Sequence, residues 1–160
     1  MDADARASLR RLLDRQTVAA LATLHGDEPA ASMAPFALFT GADGLPYLVV
    51  HVSALATHTR DMQRHARVGV LVVDEADPAV TPLARPRVAL QADAAELPRL
   101  AKDYIAAKKA YVTRFPDARP LFDLGDFALF TLRPQSARLV AGFGQAYGLV
   151  GEPLDAWLAP

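Results

Sequence analysis

Between Ser53 and Arg60 the chain reads Ser-Ala-Leu-Ala-Thr-His-Thr-Arg, gathering three hydroxyls, an imidazole and a guanidinium into eight residues. The stretch follows an apolar run and opens a helical pattern. Free backbone N–H groups and the positive end of a helix dipole are therefore expected there. That donor set suits a phosphate dianion, which takes several hydrogen bonds and at least one fixed cation. Ordinary capping by Ser53 or Thr57, with Arg60 left to solvent, accounts for the same residues. The segment alone leaves both readings open.

The four histidines are His25, His51, His58 and His65, the last three spaced seven apart. His51 falls in a strand pattern. A helical pair seven apart is separated by about 10 Å along the axis, too far to share one metal ion. Asp61 near His65 adds only a second ligand, so no metal site is expected. With no cysteine in the chain, disulfides, thiolate metal sites and a cysteine nucleophile are excluded. No nucleophile elbow surrounds Ser8, Ser32, Ser53 or Ser136. No glycine-rich phosphate loop is present either; Gly142-Phe143-Gly144 reads as a bulge or tight turn ending a strand.

The elements that must carry these residues follow from periodicity. Ala3 to Arg15 is an amphipathic helix on Leu9, Leu12 and Leu13. Thr17 to Leu24 and Ala30 to Phe39 make a hairpin across the turn signal His25-Gly26-Asp27-Glu28-Pro29, and Pro46 to Val52 is a third strand. Ser53 to Ala66 turns helical, with Leu55 and Met62 on one face and Arg60, Asp61, Gln63 and Arg64 on the other. Val68 to Val73 and Arg87 to Leu97 are strands. Pro98 to Tyr111 is a helix with Leu100, Tyr104, Ala107 and Tyr111 inward. Phe127 to Leu132 and Leu139 to Phe143 are the last strands, before an irregular tail from about 148 to 160. Short strands with few helices predict a mainly β, antiparallel small barrel and not a Rossmann alternation.

The length of 160 residues fits one domain spanning 1–160. Seventeen basic against eighteen acidic side chains leave no basic excess for phosphate-driven nucleic-acid binding. Met1 to Arg15 has no apolar core, so no signal peptide is expected, and runs such as Val68–Val73 are too short to span a membrane. A soluble cytoplasmic protein is the expectation.

Taken in order, several stretches resemble the FMN-binding split-barrel proteins related to pyridoxamine 5′-phosphate oxidase, closest to the haem-utilisation (HugZ-like) branch. They are Ala31-Ser32-Met33-Ala34-Pro35-Phe36, Ser53 through Met62, Arg87-Val88-Ala89-Leu90, Phe122 through Phe130, and Val140 through Ala146. The resemblance implies a six-stranded split barrel with flanking helices, a homodimer, a small-molecule substrate and FMN between the subunits. Carried over by position, Ser32, Met33 and Ala34 would line the isoalloxazine, and His51 and Ser53 would flank it. His58, Thr59 and Arg60 would hold the phosphate, with Arg87 reaching it or the ring from a later strand. An FMN-dependent oxidoreductase is the leading expectation, with haem binding or degradation, or a non-catalytic binding module, as alternatives. Members that oxidise pyridoxamine phosphate carry a C-terminal motif with arginine and histidine; Tyr147 to Pro160 contains neither. Haem-degrading members place a ligating histidine near the C-terminus, whereas no histidine follows His65 here. A haem iron would have to take His25, His51, His58 or His65.

Overall fold

The computed structural model describes residues 3–159. Eight strands build one antiparallel sheet: β1 (Val18–His25), β2 (Glu28–Pro35), β3 (Ala37–Thr40), β4 (Pro46–Ser53), β5 (Arg67–Val73), β6 (Arg87–Leu97), β7 (Phe127–Gly142) and β8 (Gln145–Val150). Among the described residues, four α-helices flank it: α1 (Ala3–Arg15), α2 (Thr57–Arg64), α3 (Tyr104–Arg114) and α4 (Glu152–Leu158). The strand order is β2-β1-β5-β6-β7-β4-β3, with β8 paired to β7. β2 and β3 stand at opposite ends of that order, yet only Phe36 separates them in the chain. The sheet must therefore curl until its ends approach. Phe36 is buried at this seam and its N–H donates to Thr17 O at 3.1 Å.

Alternation sorts each strand into two faces. Along β1, Ala19, Leu21 and Thr23 are buried while Val18, Ala20 and Ala22 are exposed. Inward residues of the curled sheet, among them Val50, Val70, Val88, Phe130 and Leu139, form one core with Leu9, Leu12 and Leu13 of α1. The opposite face of β4 and β7 carries a second core. There Val49 and Leu129 pack under Tyr104, Ala107 and Tyr111 of α3, and Phe122 joins them from the 3-10 segment Pro116–Asp123.

Several expectations are corrected. The sheet has eight strands, not six. The strand expected over Ala30–Phe39 divides at the seam residue Phe36, and the two last strands are one sixteen-residue strand, β7. β7 survives Pro134 because a bulge sits there: Ala92 pairs with Pro134 and Gln91 with Ser136, leaving Gln135 extra. α3 begins at Tyr104, so Leu100 is fully exposed and Pro98 lies outside the helix.

The tail expected to be irregular is β8 followed by α4. Gly144, with φ of 74°, turns the chain from β7 into β8, and Gly151, with φ of 61°, turns it into α4. Leu154, Trp157 and Leu158 then bury at helical spacing in the same core as α1. Arg133 of β7 holds the helix through Asp155 at 2.7 Å. Leu154→Ala should lower unfolding stability by roughly 2–5 kcal/mol, the range for a fully buried leucine. Urea denaturation followed by fluorescence of the single tryptophan, Trp157, measures it. An unchanged midpoint would mean that α4 is not docked.

Candidate functional site

The start of α2 assembles most of the phosphate-type donors. Its N-cap, Ala56, has no side-chain cap, so the first-turn N–H groups lack that partner. Ser53 Oγ accepts from the Leu55 N–H at 3.2 Å. Thr59, buried, donates to Ser53 O at 2.6 Å. The two hydroxyls thus shape the turn into α2 instead of standing free. Thr57 and Arg60 are exposed, and Arg60 folds back to donate to Leu55 O at 3.3 Å. His58 is half-buried beside them, its pKa lowered by burial and opposed by the Asp61 charge.

The remaining expected residues are distributed over other surfaces. Met33 is 61% exposed on the outer face of the edge strand β2, while Ala34 is buried in the core. Ser32 turns inward and donates to Leu21 O at 3.4 Å. Arg87 is engaged by carbonyl oxygens of Leu83 and Arg85 at 3.1 and 3.0 Å. His51 lies under α3: its ring stacks on Phe122 at 3.8 Å with an interplanar angle of 3°. Burial, and then the nearby charges of Arg99 and Lys108, push its pKa down to about 4. Its side chain is a neutral core group whose Nδ1 has no hydrogen-bond partner.

A different constellation emerges on the inner side of α2. Asp61, expected on the solvent face, is 1% exposed. Thr23 Oγ1 donates to its Oδ2 at 2.9 Å, and His25 Nδ1 lies 2.9 Å from Oδ1. The hydrogen bond from His25, then burial opposing it, then the bond from Thr23 set a carboxyl pKa below the usual 3.8. An ionised carboxylate has no proton to give, so His25 must carry its proton on Nδ1. In the neutral ring that leaves Nε2 free, on a side chain that is 61% exposed. A buried carboxylate holding the tautomer of an exposed imidazole is a standard way to prepare a metal ligand or a proton acceptor. The signal for this array was the inward phase of β1, which places Thr23 and His25 on the side that α2 covers.

A sheet curled onto a one-residue seam, with helices over its ends, is the split barrel of the pyridoxamine 5′-phosphate oxidase type. Within that class the chain belongs to the CREG β-barrel family, whose model matches residues 2–158. It is 30% identical to the haem oxygenase HutZ of Vibrio cholerae over 127 residues, 79% of this chain and 69% of HutZ. It is 34% identical over 124 residues to the chloroplastic non-canonical haem oxygenase HOZ of Arabidopsis thaliana. That match takes in 78% of this chain but only 35% of HOZ, so the chain spans about a third of that relative. A haem-binding protein from Mycobacterium smegmatis superposes with a TM-score of 0.84 at 28% identity, over 98% of this chain and 62% of that one.

Two titrations set separate acid limits on the fold. His51 takes a proton below about pH 6.5 when unfolded but only below about 4 when folded, so stability falls as pH drops between those values. His51→Phe should remove on the order of 2–3 kcal/mol of this loss. Urea unfolding near neutrality and at about pH 4.5 tests it; equal slopes in both proteins would refute the buried neutral assignment. Asp61 acts lower. Its contribution is complete above the ordinary carboxylate value of 3.8 and is lost as pH falls through the lower folded value. Asp61→Asn should therefore be less stable than wild type at neutral pH, with the gap narrowing only under stronger acid.

Proposed function

We propose that this protein binds haem on the split-barrel frame, with His25 as the iron ligand of this chain. The observation that carries the reading is the match to HutZ across four-fifths of the chain. The donor chemistry fits. His51 is enclosed by Phe122 and α3, whereas His25 is exposed and its ring is oriented through Nδ1 by a buried carboxylate. Bound haem would supply the oxygen and electron chemistry of haem degradation. The chain itself orients the imidazole, through Thr23 and Asp61, and keeps the proton on Nδ1.

FMN is the second reading, favoured by the uncapped start of α2 beside Arg60. In it Thr59 and Ser53 shape the turn, His58 and Arg60 face the phosphate, and Ser32, Met33 and Ala34 border the ring along the β2 edge. His51 would contribute only its backbone, and Arg87 would have to leave its carbonyl partners. Under either cofactor the protein is proposed to work as a homodimer. The outer face of β2, β1, β5 and β6 presents Met33, Val18, Ala20, Ala22, Leu71 and Ala89, an apolar surface of the kind that associates.

Haemin titrated into the purified protein should give a saturable Soret shift, and His25→Ala should change both its position and its affinity. Asp61→Asn should weaken binding by roughly 10–100-fold, as loss of a partner behind a ligating histidine does. No saturable shift in wild type removes the haem reading; a shift unaffected by His25→Ala removes only His25. For FMN, Arg60→Ala should cost about 1–3 kcal/mol of affinity. Leu71→Glu, at the centre of the outer face, should convert a dimer to a monomer by light scattering. A wild-type monomer would end the dimer proposal.

A further inference from the structure

A cleft of about 480 Å³ opens between α1, the edge strand β3 and α3, on residues that neither cofactor reading uses. That volume lies in the range of small-molecule sites. Ala37, Leu38, Ala106 and Ala110 give it apolar walls. Arg10, Lys109 and Arg114 bring three cations to it against one carboxylate, Asp14. Among the described residues, none of these cations belongs to an ion pair.

Arg114 is held rigidly. Its Nη2 donates to the carbonyl oxygens of Leu13, Asp14 and Gln16 at 2.9, 3.1 and 2.5 Å, closing the C-terminal end of α1. Its guanidinium also lies 5.3 Å from the centre of the Phe36 ring at the barrel seam. With one arm so committed, its buried Nε has no partner. Arg10 Nη1 is likewise buried and unpartnered. A guanidinium nitrogen withdrawn from water without an acceptor costs free energy. Both side chains line this one cleft, so a ligand entering it meets two guanidiniums whose hydrogen bonding within the protein is incomplete. Lys109, exposed on α3, adds a third cation to the lining.

We infer that this cleft binds a small organic oxyanion carrying a compact apolar body. Arg10 and Lys109 take the oxyanion, Arg114 fixes the floor from the end of α1, and the alanine and leucine walls take the body. An acceptor that satisfies the guanidinium donors and an apolar group that displaces water from the walls are both needed. A bare inorganic ion meets only the first requirement.

Backbone amide NMR of the full chain, at constant ionic strength, tests this with three probes: phenyl phosphate, benzoate and inorganic phosphate. Saturable shifts are expected at Leu38, Ala110 and Thr113 with at least one of the two organic anions. The tighter of those two identifies the headgroup as phosphate or carboxylate. Inorganic phosphate should bind about tenfold more weakly or worse, and Lys109→Met should weaken the organic anion by about tenfold. Lys109 is exposed, so that variant keeps the fold, and Arg10→Met is the second variant, checked by an unchanged amide spectrum away from the cleft. Non-saturating shifts, shifts centred elsewhere, or equal affinity in wild type and both variants would overturn the inference.

Discussion

The long strand β7 sets the constraint that the rest of the molecule obeys. It pairs with β6 along one edge over Leu129–Val140, while the other edge serves β4 over Phe127–Leu132 and β8 over Ser136–Gly142. The exchange of partners falls at Pro134, which has no N–H to give, and the extra residue Gln135 absorbs the mismatch. Because β7 spans both halves, β4 and β8 cannot shift register independently of β6. Positions on β4 and on the final hairpin are thereby fixed relative to each other by backbone hydrogen bonds, before any side chain contributes.

Closure of the sheet then divides the chemistry. With β2 and β3 joined through Phe36, the inward face becomes a core and the outward face must find other cover. α3 covers β4 and turns His51 into a core residue. α2 covers the end of β1 and encloses Asp61 against Thr23 and His25. The outer face of β1, β2 and β5 remains bare. One operation, covering a curled sheet with short helices, thus decides that one histidine is silent and another is oriented and exposed.

Much of this was legible in the residues. The periodicity of Leu9, Leu12 and Leu13, the turn signal after β1, and the buried trio Tyr104, Ala107 and Tyr111 all lie where pattern placed them. The fusion of the last strands was not legible, because Pro134 is a strong local breaker and only pairing on both edges overrides it. Local patterning puts Asp61 on the solvent face because it stands with Arg60, Gln63 and Arg64 on the polar side of the helix. Its burial depends on two partners 36 and 38 residues away, which no local window contains. α4 was missed too: Leu154, Trp157 and Leu158 carry a helical stripe, but its shortness and the flanking Pro153 and Pro160 make the tail read as irregular.

The frame by itself does not select a ligand, and a haem-binding protein and an FAD-binding protein both superpose on it. A curled sheet with an open outer face and an uncapped helix start offers backbone donors and small apolar residues, which suit many flat ligands equally. Selection has to come from the few side chains whose orientation is enforced. A flavin reading relies on Arg60, which is exposed and already turned back onto Leu55 O, so its loss from that contact is part of the binding cost. A haem reading relies on His25, whose ring orientation is set in advance by a carboxylate that cannot move without unpacking α2 from β1. Preorganisation favours the group that needs no rearrangement. On that criterion the imidazole, not the guanidinium, is the side chain that the fold has prepared.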